Sequence, residues 1–471
     1  MRILAFDLGT SSVRGLVLDA GARPLPGALA RRKTPISIVE GGAATIDGPA
    51  YLGALMECLD DLSAAGHLDG VELVATSAQW HSVVPLDPDG EPLGPVLTWL
   101  DTRPSPPPGV PGPADPDDFH RRTGTWWHRF YWSVRLPWLR ELAGVGPLRF
   151  AGLVEYVLGR LLEETAMSIS QASGTGLLDL RTLDWDAEAC ELAEVRPGEL
   201  PALAPADWSG RLRPEYARRW PALRSVRWTP PTGDGAASNV GSACYDTRRA
   251  AVTVGTSAAV RLVQSAPVGT ELPSLPEQLW RYRVDHGHVV TGTAFSAGGS
   301  LYAWARKQLR LPEGPELDRA LARIPLDGGA VRADPRLGGD RPPGLAPSGS
   351  GMITGIGLDT AAVEILAGLM AALCRQVDTG VAAIESTLDK RVQVVLGGGA
   401  VAASTWWRRA FAATLAPREV HHVPDPEIGA VGAALVAIGR LDGATGLERI
   451  VRTDEGRSGT ATRSDHQQYP S

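Results

Sequence analysis

Apolar residues in this chain collect into short runs that glycines and hydroxyl residues interrupt, and two such runs, half a chain apart, share one pattern. Ile3-Leu4-Ala5-Phe6 leads to Asp7-Leu8-Gly9-Thr10-Ser11-Ser12 and resumes as Val13-Arg14-Gly15-Leu16-Val17-Leu18. Ala251-Val252-Thr253-Val254 leads to Gly255-Thr256-Ser257 and resumes as Ala258-Ala259-Val260-Arg261-Leu262-Val263. Each predicts a strand, a tight turn and a returning strand, with backbone N–H groups and hydroxyls at the tip. Residues 51–65 have helical spacing, with Leu52, Leu55, Met56, Leu59 and Leu62 on one face. Residues 71–77 read as a buried strand running into Ala78-Gln79-Trp80-His81, and polar groups at a strand end are where open α/β sheets place ligands. Residues 104–118 are proline-rich and predict an exposed loop. For the aromatic run Trp126, Trp127, Phe130, Tyr131, Trp132 and Trp138, helical packing on the core is preferred over a sugar-stacking platform. In the second half, a helix is expected after Gly298-Gly299, a long apolar helix over 360–385, and a strand over 392–396 entering Gly397-Gly398-Gly399. Residues 454–471 are polar and are expected to be disordered.

A chain of 471 residues is too long for one ordinary core, so two large domains are expected, 1–244 and 245–440. Net charge of −7 argues against a nucleic-acid binder. Cys58, Cys190, Cys244 and Cys374 are widely spaced, which fits buried free thiols in a reducing compartment and not a zinc site. The N-terminus reads as a strand and not as a signal peptide, and no apolar stretch is expected to reach the ~18–20 residues that span a bilayer. A cytoplasmic protein without membrane partners is the expectation.

Nested N–H dipoles and hydroxyls at a hairpin tip are suited to phosphate oxygens. Only the first tip has a carboxylate at the strand end, Asp7, where the second has Thr253. That asymmetry predicts a duplicated domain closing on a metal–nucleotide from both sides. The plainer alternative is two unrelated hairpins, because Gly-Thr-Ser arises easily in a chain with 54 glycines.

Four segments, in order, resemble the FGGY family of carbohydrate kinases, within the actin/Hsp70/hexokinase ATPase superfamily. They are Phe6 to Arg14, Gly233-Asp234-Gly235-Ala236-Ala237-Ser238-Asn239-Val240-Gly241, Thr253-Val254-Gly255-Thr256-Ser257, and Leu396-Gly397-Gly398-Gly399-Ala400 continuing to Trp407. The resemblance implies an α/β fold of two duplicated actin/Hsp70/hexokinase-like (ribonuclease H-like) domains flanking a central cleft, with ATP and Mg²⁺ as cofactors. It makes Asp234 the general base, whereas its flanking glycines alone would read as an Asx-turn. Asp7 would hold Mg²⁺ through water. Thr10, Ser11, Ser12, Gly255 and Thr256 would bracket the phosphates, with Arg14 where the family commonly has lysine. Gly299 would start the helix lining the nucleotide cleft, and Gly398, Gly399 and Ala400 would let the chain pass close to adenine.

The resemblance also places the sugar site in Gln79, Trp80 and His81 and in Trp99-Leu100-Asp101-Thr102-Arg103. Asp101 and Arg103 serve equally well as an ion pair shaping their loop, whereas for His81 a hydroxyl ligand is preferred over a core histidine. Segments around Trp80, His128 and Ser173 look most like the gluconokinase branch, which implies D-gluconate as substrate with His128, Arg129 or Arg103 meeting its carboxylate. A xylulokinase-type ketopentose kinase is the alternative, and a nucleotide- and sugar-binding sensor with little turnover is another. A chaperone-like ATPase is disfavoured by the short polar tail. The expected partner is a small sugar or sugar acid, with a homodimer left open. Two departures stand out: the bulky Trp126-Trp127, and Gly339-Asp340-Arg341-Pro342-Pro343 followed by Ser348-Gly349-Ser350-Gly351.

Overall fold

A computed structural model of the protein describes residues 1–441 except 105, 107, 108, 110, 111, 145–147, 340–350 and 424–426. The altered segment after Gly339 and the polar tail therefore lie outside the described residues, apart from Gly339 and Gly351.

The first half builds a sheet from β1 (Arg2–Leu8), β2 (Ser12–Leu18), β3 (Pro24–Lys33), β4 (Val71–Ala78), β5 (Arg227–Trp228) and β6 (Thr232–Gly233). β1, β2 and β3 form an antiparallel meander, and β4 lies parallel to β1, with β5 and β6 parallel to β4. The apolar run of β1 does not alternate because both of its faces are covered. Leu4, Phe6 and Leu8 face α1 (Gly48–Ala64) through Tyr51, Leu55, Leu59 and Leu62. Ile3 and Ala5 face the other way, onto Ala237 of α2 (Asp234–Gly241).

The second half repeats this order with β7 (Arg249–Val254), β8 (Ala258–Ser265), β9 (Trp280–Arg283), β10 (His288–Phe295), β11 (Gln393–Gly397) and β12 (Val420–His422). β7, β8 and β10 are antiparallel, and β11 and β12 continue parallel on the other side of β7. The sheet packs on α3 (Gly299–Gln308) and the 24-residue α4 (Ala362–Glu385). Contrary to expectation, α4 is long and apolar enough by composition to cross a membrane, yet two thirds of its apolar window is buried inside the protein.

The last helix, α5 (Ile428–Leu441), returns to the first sheet. Ala430, Ala433 and Ala434 pack with Ile3, Ala5 and Ala75. Its Gly432 lies on the backbone of α2, where a Cβ would overlap Ala237 O and sit 2.7 Å from Gly241 N.

Two local expectations need correction. The proline-rich segment is not irregular to its end: a helix covers Pro116–Thr123, capped by Asp115, whose carboxylate accepts from the N–H groups of Asp117 and Asp118. The aromatic run is only partly helical. Gly124 ends that helix at φ +70°, where a Cβ would overlap Arg281 O, and helix resumes only at Trp132. Trp132 and Trp138 pack in the core, whereas Trp126, Phe130 and Tyr131 join an aromatic cluster with Trp80, Trp280 and Tyr282.

Glu155, in the helix Leu153–Leu161, buries both carboxylate oxygens without a hydrogen-bond partner. Burial pushes its carboxyl up from 4.5 to about 7, and the Gly152 and Glu155 N–H dipoles offset this only in part. A carboxyl raised on folding stabilises least once it must ionise, so stability falls as pH rises from about 4.5 through 7. Glu155→Gln removes that charging cost and should stabilise the protein by up to about 3 kcal/mol at pH 8. Thermal unfolding at pH 8 and pH 5 checks this. The gain should shrink at the lower pH, and an equal gain at both would contradict the assignment.

Candidate active site between the two hairpins

In the first hairpin Gly9 N–H donates to Ser12 O (3.1 Å), and Tyr51 O–H donates to Gly9 O (2.7 Å). Asp7 pairs across the hairpin with Arg14 and across the parallel pair with Ser77. Ser77 Oγ donates to Asp7 Oδ1 (3.2 Å). Burial is the main cause that raises the Asp7 carboxyl from 3.8 to about 6; Arg14 and the Ser77 hydrogen bond oppose it, while Asp234 and Glu427 add to it. Arg14 is engaged by carboxylates: its Nη1 donates to Glu427 Oε2 (3.3 Å) and lies 3.8 Å from Asp7 Oδ2. Ser11 is exposed and Ser12 buried.

In the second hairpin Gly255 N–H donates to Ser257 O (2.9 Å). Gly299 N–H donates to Gly255 O (2.7 Å) and Ser300 N–H to Thr256 O (3.0 Å), which ties the start of α3 to the tip. A Cβ on Gly299 would lie 3.1 Å from Ala400 Cβ, so the turn after β11 meets them. Gly398 sits at φ +103°, and a Cβ there would collide with the backbone of Val254. Its small size is therefore required by strand packing. Gly399 does face open space.

Asp234 is not in a turn: it is the first residue of α2, after the strand residue Gly233, and Oδ1 accepts from Gly235 N–H (2.8 Å). It lines a cavity of about 210 Å³ with Thr10, Trp80, His81 and Trp99 from the first half. The second half contributes Ser257, Arg261, Trp280 and Tyr282. The flanking glycines have a packing cause: a Cβ on Gly233 would overlap the Trp80 ring, and one on Gly235 would lie 2.6 Å from it. Trp80 Nε1 donates to Ser170 O (2.9 Å), which fixes the ring. Thr10 Oγ1 donates to Gln79 Oε1 (3.2 Å) and accepts from Trp99 Nε1 (3.1 Å), so this hydroxyl joins the hairpin to the sugar side. Gln79 Nε2 is buried without a hydrogen-bond partner. His81, at φ +67°, donates from Nδ1 to Gly174 O (2.6 Å) and packs against Phe130 with the two rings tilted by 52°.

A neighbouring cavity of about 480 Å³ shares Trp99, Phe130 and Ser257 and takes in Asp101, His128 and Arg129. Of the two readings of Asp101 and Arg103, the structure shows the ion pair. Arg103 Nη2 donates to Asp101 Oδ2 (2.7 Å), Asp101 Oδ2 also accepts from Ala44 N–H (3.0 Å), and Arg103 lies over Trp138. His128 does not supply the expected positive charge. Burial pushes its imidazole down from 6.5 to about 4, helped by Arg129 and Arg135, and Nδ1 accepts from Phe130 N–H (3.2 Å). The ring is neutral near pH 7.

Sequence reasoning overlooked Arg261, Trp280 and Tyr282. A charged residue inside the apolar run of β8 was the one available signal for Arg261. Trp280 and Tyr282 reach the cavity through the pairing of β9 with β10, which no local pattern announces.

Comparison with known proteins matches both halves of the chain to one family. The N-terminal domain of the FGGY family of carbohydrate kinases matches residues 2–241 and the C-terminal domain residues 250–439. Gluconokinase from Bacillus subtilis (strain 168) is 25% identical over 396 residues, 79% of this chain and 75% of its own. Glycerol kinase from Nocardia farcinica (strain IFM 10152) is 28% identical over 374 residues, 75% of this chain and 72% of its own. The ligand-bound xylulose kinase from Lactobacillus acidophilus superposes with a TM-score of 0.84 at 22% identity, over 96% of this chain and 91% of that one. At that identity the likeness is one of fold.

Proposed function

Because the chain belongs to the FGGY family of carbohydrate kinases, we propose that it phosphorylates D-gluconate to 6-phosphogluconate, with Asp234 as general base. The family makes the protein an ATP-using phosphotransferase acting on a small sugar. The observation that carries the proposal is the position of Asp234, in a cavity that both hairpins border through Thr10 and Ser257. The sugar oxygen bonds to the γ-phosphorus as the bond from phosphorus to the β–γ bridging oxygen breaks. ADP leaves with that electron pair, and the hydroxyl proton passes to Asp234. The hairpin N–H groups and the Thr256 hydroxyl would hold phosphate oxygens, and Trp80 and Trp99 would face the sugar.

Asp7 fits a magnesium ion held through water, because its carboxylate is desolvated and shares its surroundings with Asp234 and Glu427, opposed by Arg14. Bound there, the ion would neutralise charge on the β- and γ-phosphates. We also propose the division into residues 1–244 and 245–440, with α5 crossing back, and a cytoplasmic location that suits four buried free thiols.

The neutrality of His128 favours a second reading, a ketopentose kinase of the xylulokinase type, since one expected partner of a carboxylate is not charged. Side-by-side initial rates of ADP formation with D-gluconate, D-xylulose, D-ribulose and glycerol separate the two. The proposal expects the highest kcat/KM for gluconate. A faster ketose would replace the substrate and leave the kinase in place.

A further inference from the structure

Arg261 projects from β8, beyond Ser257 at the hairpin tip. Ala259 and Arg261 share one face of β8, and Arg261 lines the cavity that holds Asp234 together with Ser257 of the tip. From Ala258, where β8 begins, three residue steps cover roughly 10 Å, which sets Arg261 behind the phosphate-facing tip. The guanidinium lies over Gly235, where a Cβ would meet Nε at 2.8 Å and Cζ at 3.2 Å. Its Nε is buried and has no hydrogen-bond partner. Burial lowers its proton affinity from the ordinary value, while Asp234 and Tyr282 oppose that shift. An arginine remains a cation at neutral pH. A buried cation with an unmet donor is costly unless something completes it.

The other cations expected near the substrate are engaged or elsewhere. Arg103 is paired with Asp101, Arg14 with Glu427, and Arg129 lines the neighbouring cavity. Among the described residues lining the Asp234 cavity, Arg261 is the permanent cation. We propose that Arg261 is the specificity-determining residue of this cavity, selecting a substrate that carries a carboxylate at the end remote from the phosphorylated hydroxyl. The inference rests on the sugar-acid reading above and assigns the anion a partner from the second half. A guanidinium fork matches the two oxygens of a carboxylate, and such a pair loses most of its strength when one member is removed.

The test uses two ligands that differ at one carbon: D-gluconate, and D-glucitol, which has CH₂OH in place of the carboxylate. Trp80, Trp99 and Trp280 line the cavity, so tryptophan fluorescence reports binding without nucleotide. The wild-type protein should bind gluconate at least tenfold more tightly than glucitol. Arg261→Gln should weaken gluconate by about 10²-fold and glucitol by at least tenfold less. Arg261→Lys, which keeps the charge without the fork, should fall between for gluconate, and it decides the matter should the Gln variant not fold. Equal weakening of both ligands, or no preference in the wild type, would overturn the proposal. Failure of the kinase reading would show separately, as no ADP formed with any sugar while the fluorescence preference persists.

Discussion

Asp234→Asn should lower kcat by about 10²-fold or more, the usual scale of general-base catalysis, while sugar binding changes far less. Asparagine keeps the size of the side chain and can still accept from Gly235 N–H, so α2 and the packing of Gly233 and Gly235 on Trp80 should survive. What it loses is the capacity to take the hydroxyl proton. The expected result is a kcat effect with a nearly unchanged gluconate Kd by tryptophan fluorescence. Retention of most activity would remove Asp234 as the base, and a matching loss of sugar affinity would recast it as a binding group.

Gly432→Ala should destabilise the protein by about 3 kcal/mol, at the upper end of ordinary overpacking. The reason is backbone on backbone: the added methyl would overlap Ala237 O, and a Cβ on Gly241 would likewise overlap Ile428 O, so no rotamer change relieves either contact. Helices α2 and α5 would have to separate, and α2 carries Asp234 at its first position. A fall in melting temperature of roughly 5 °C or more is expected, together with a lower kcat. Gly53→Ala is the control, because Gly53 lies within helix α1 with open space around its Cβ position and should gain a few tenths of a kcal/mol or more. If Gly432→Ala melted with the wild type, close packing of the two helices would be ruled out.

Local chemistry made much of this architecture legible. Both hairpins, α1, β4 and α4 follow from apolar runs that end at glycine or hydroxyl residues, and the repeated hairpin already pointed to the duplicated sheets. What depends on distant pairing was hidden. Arg261 reaches Asp234 only because the second sheet faces the first across the cleft, and α5 covers β1 after more than four hundred residues of chain. Charge states were hidden too: His128 looks like a cation in sequence, and only its burial makes it neutral. Gly398 shows a further limit, since its contact with the backbone of Val254 is a reason for glycine that only the folded structure supplies. The Trp126 to Tyr131 segment misled because its aromatic density resembles a core helix, while Gly124 turns the chain toward the cleft.

Phosphorus NMR of the protein incubated with ATP, Mg²⁺ and D-gluconate tests the central claim most directly. The account predicts one new phosphomonoester resonance that grows in step with ADP, is absent without the sugar acid, and is slowed about 10²-fold or more by Asp234→Asn. ATP converted to ADP and inorganic phosphate at the same rate with or without any sugar, or no ATP turnover with gluconate, xylulose, ribulose or glycerol, would contradict it.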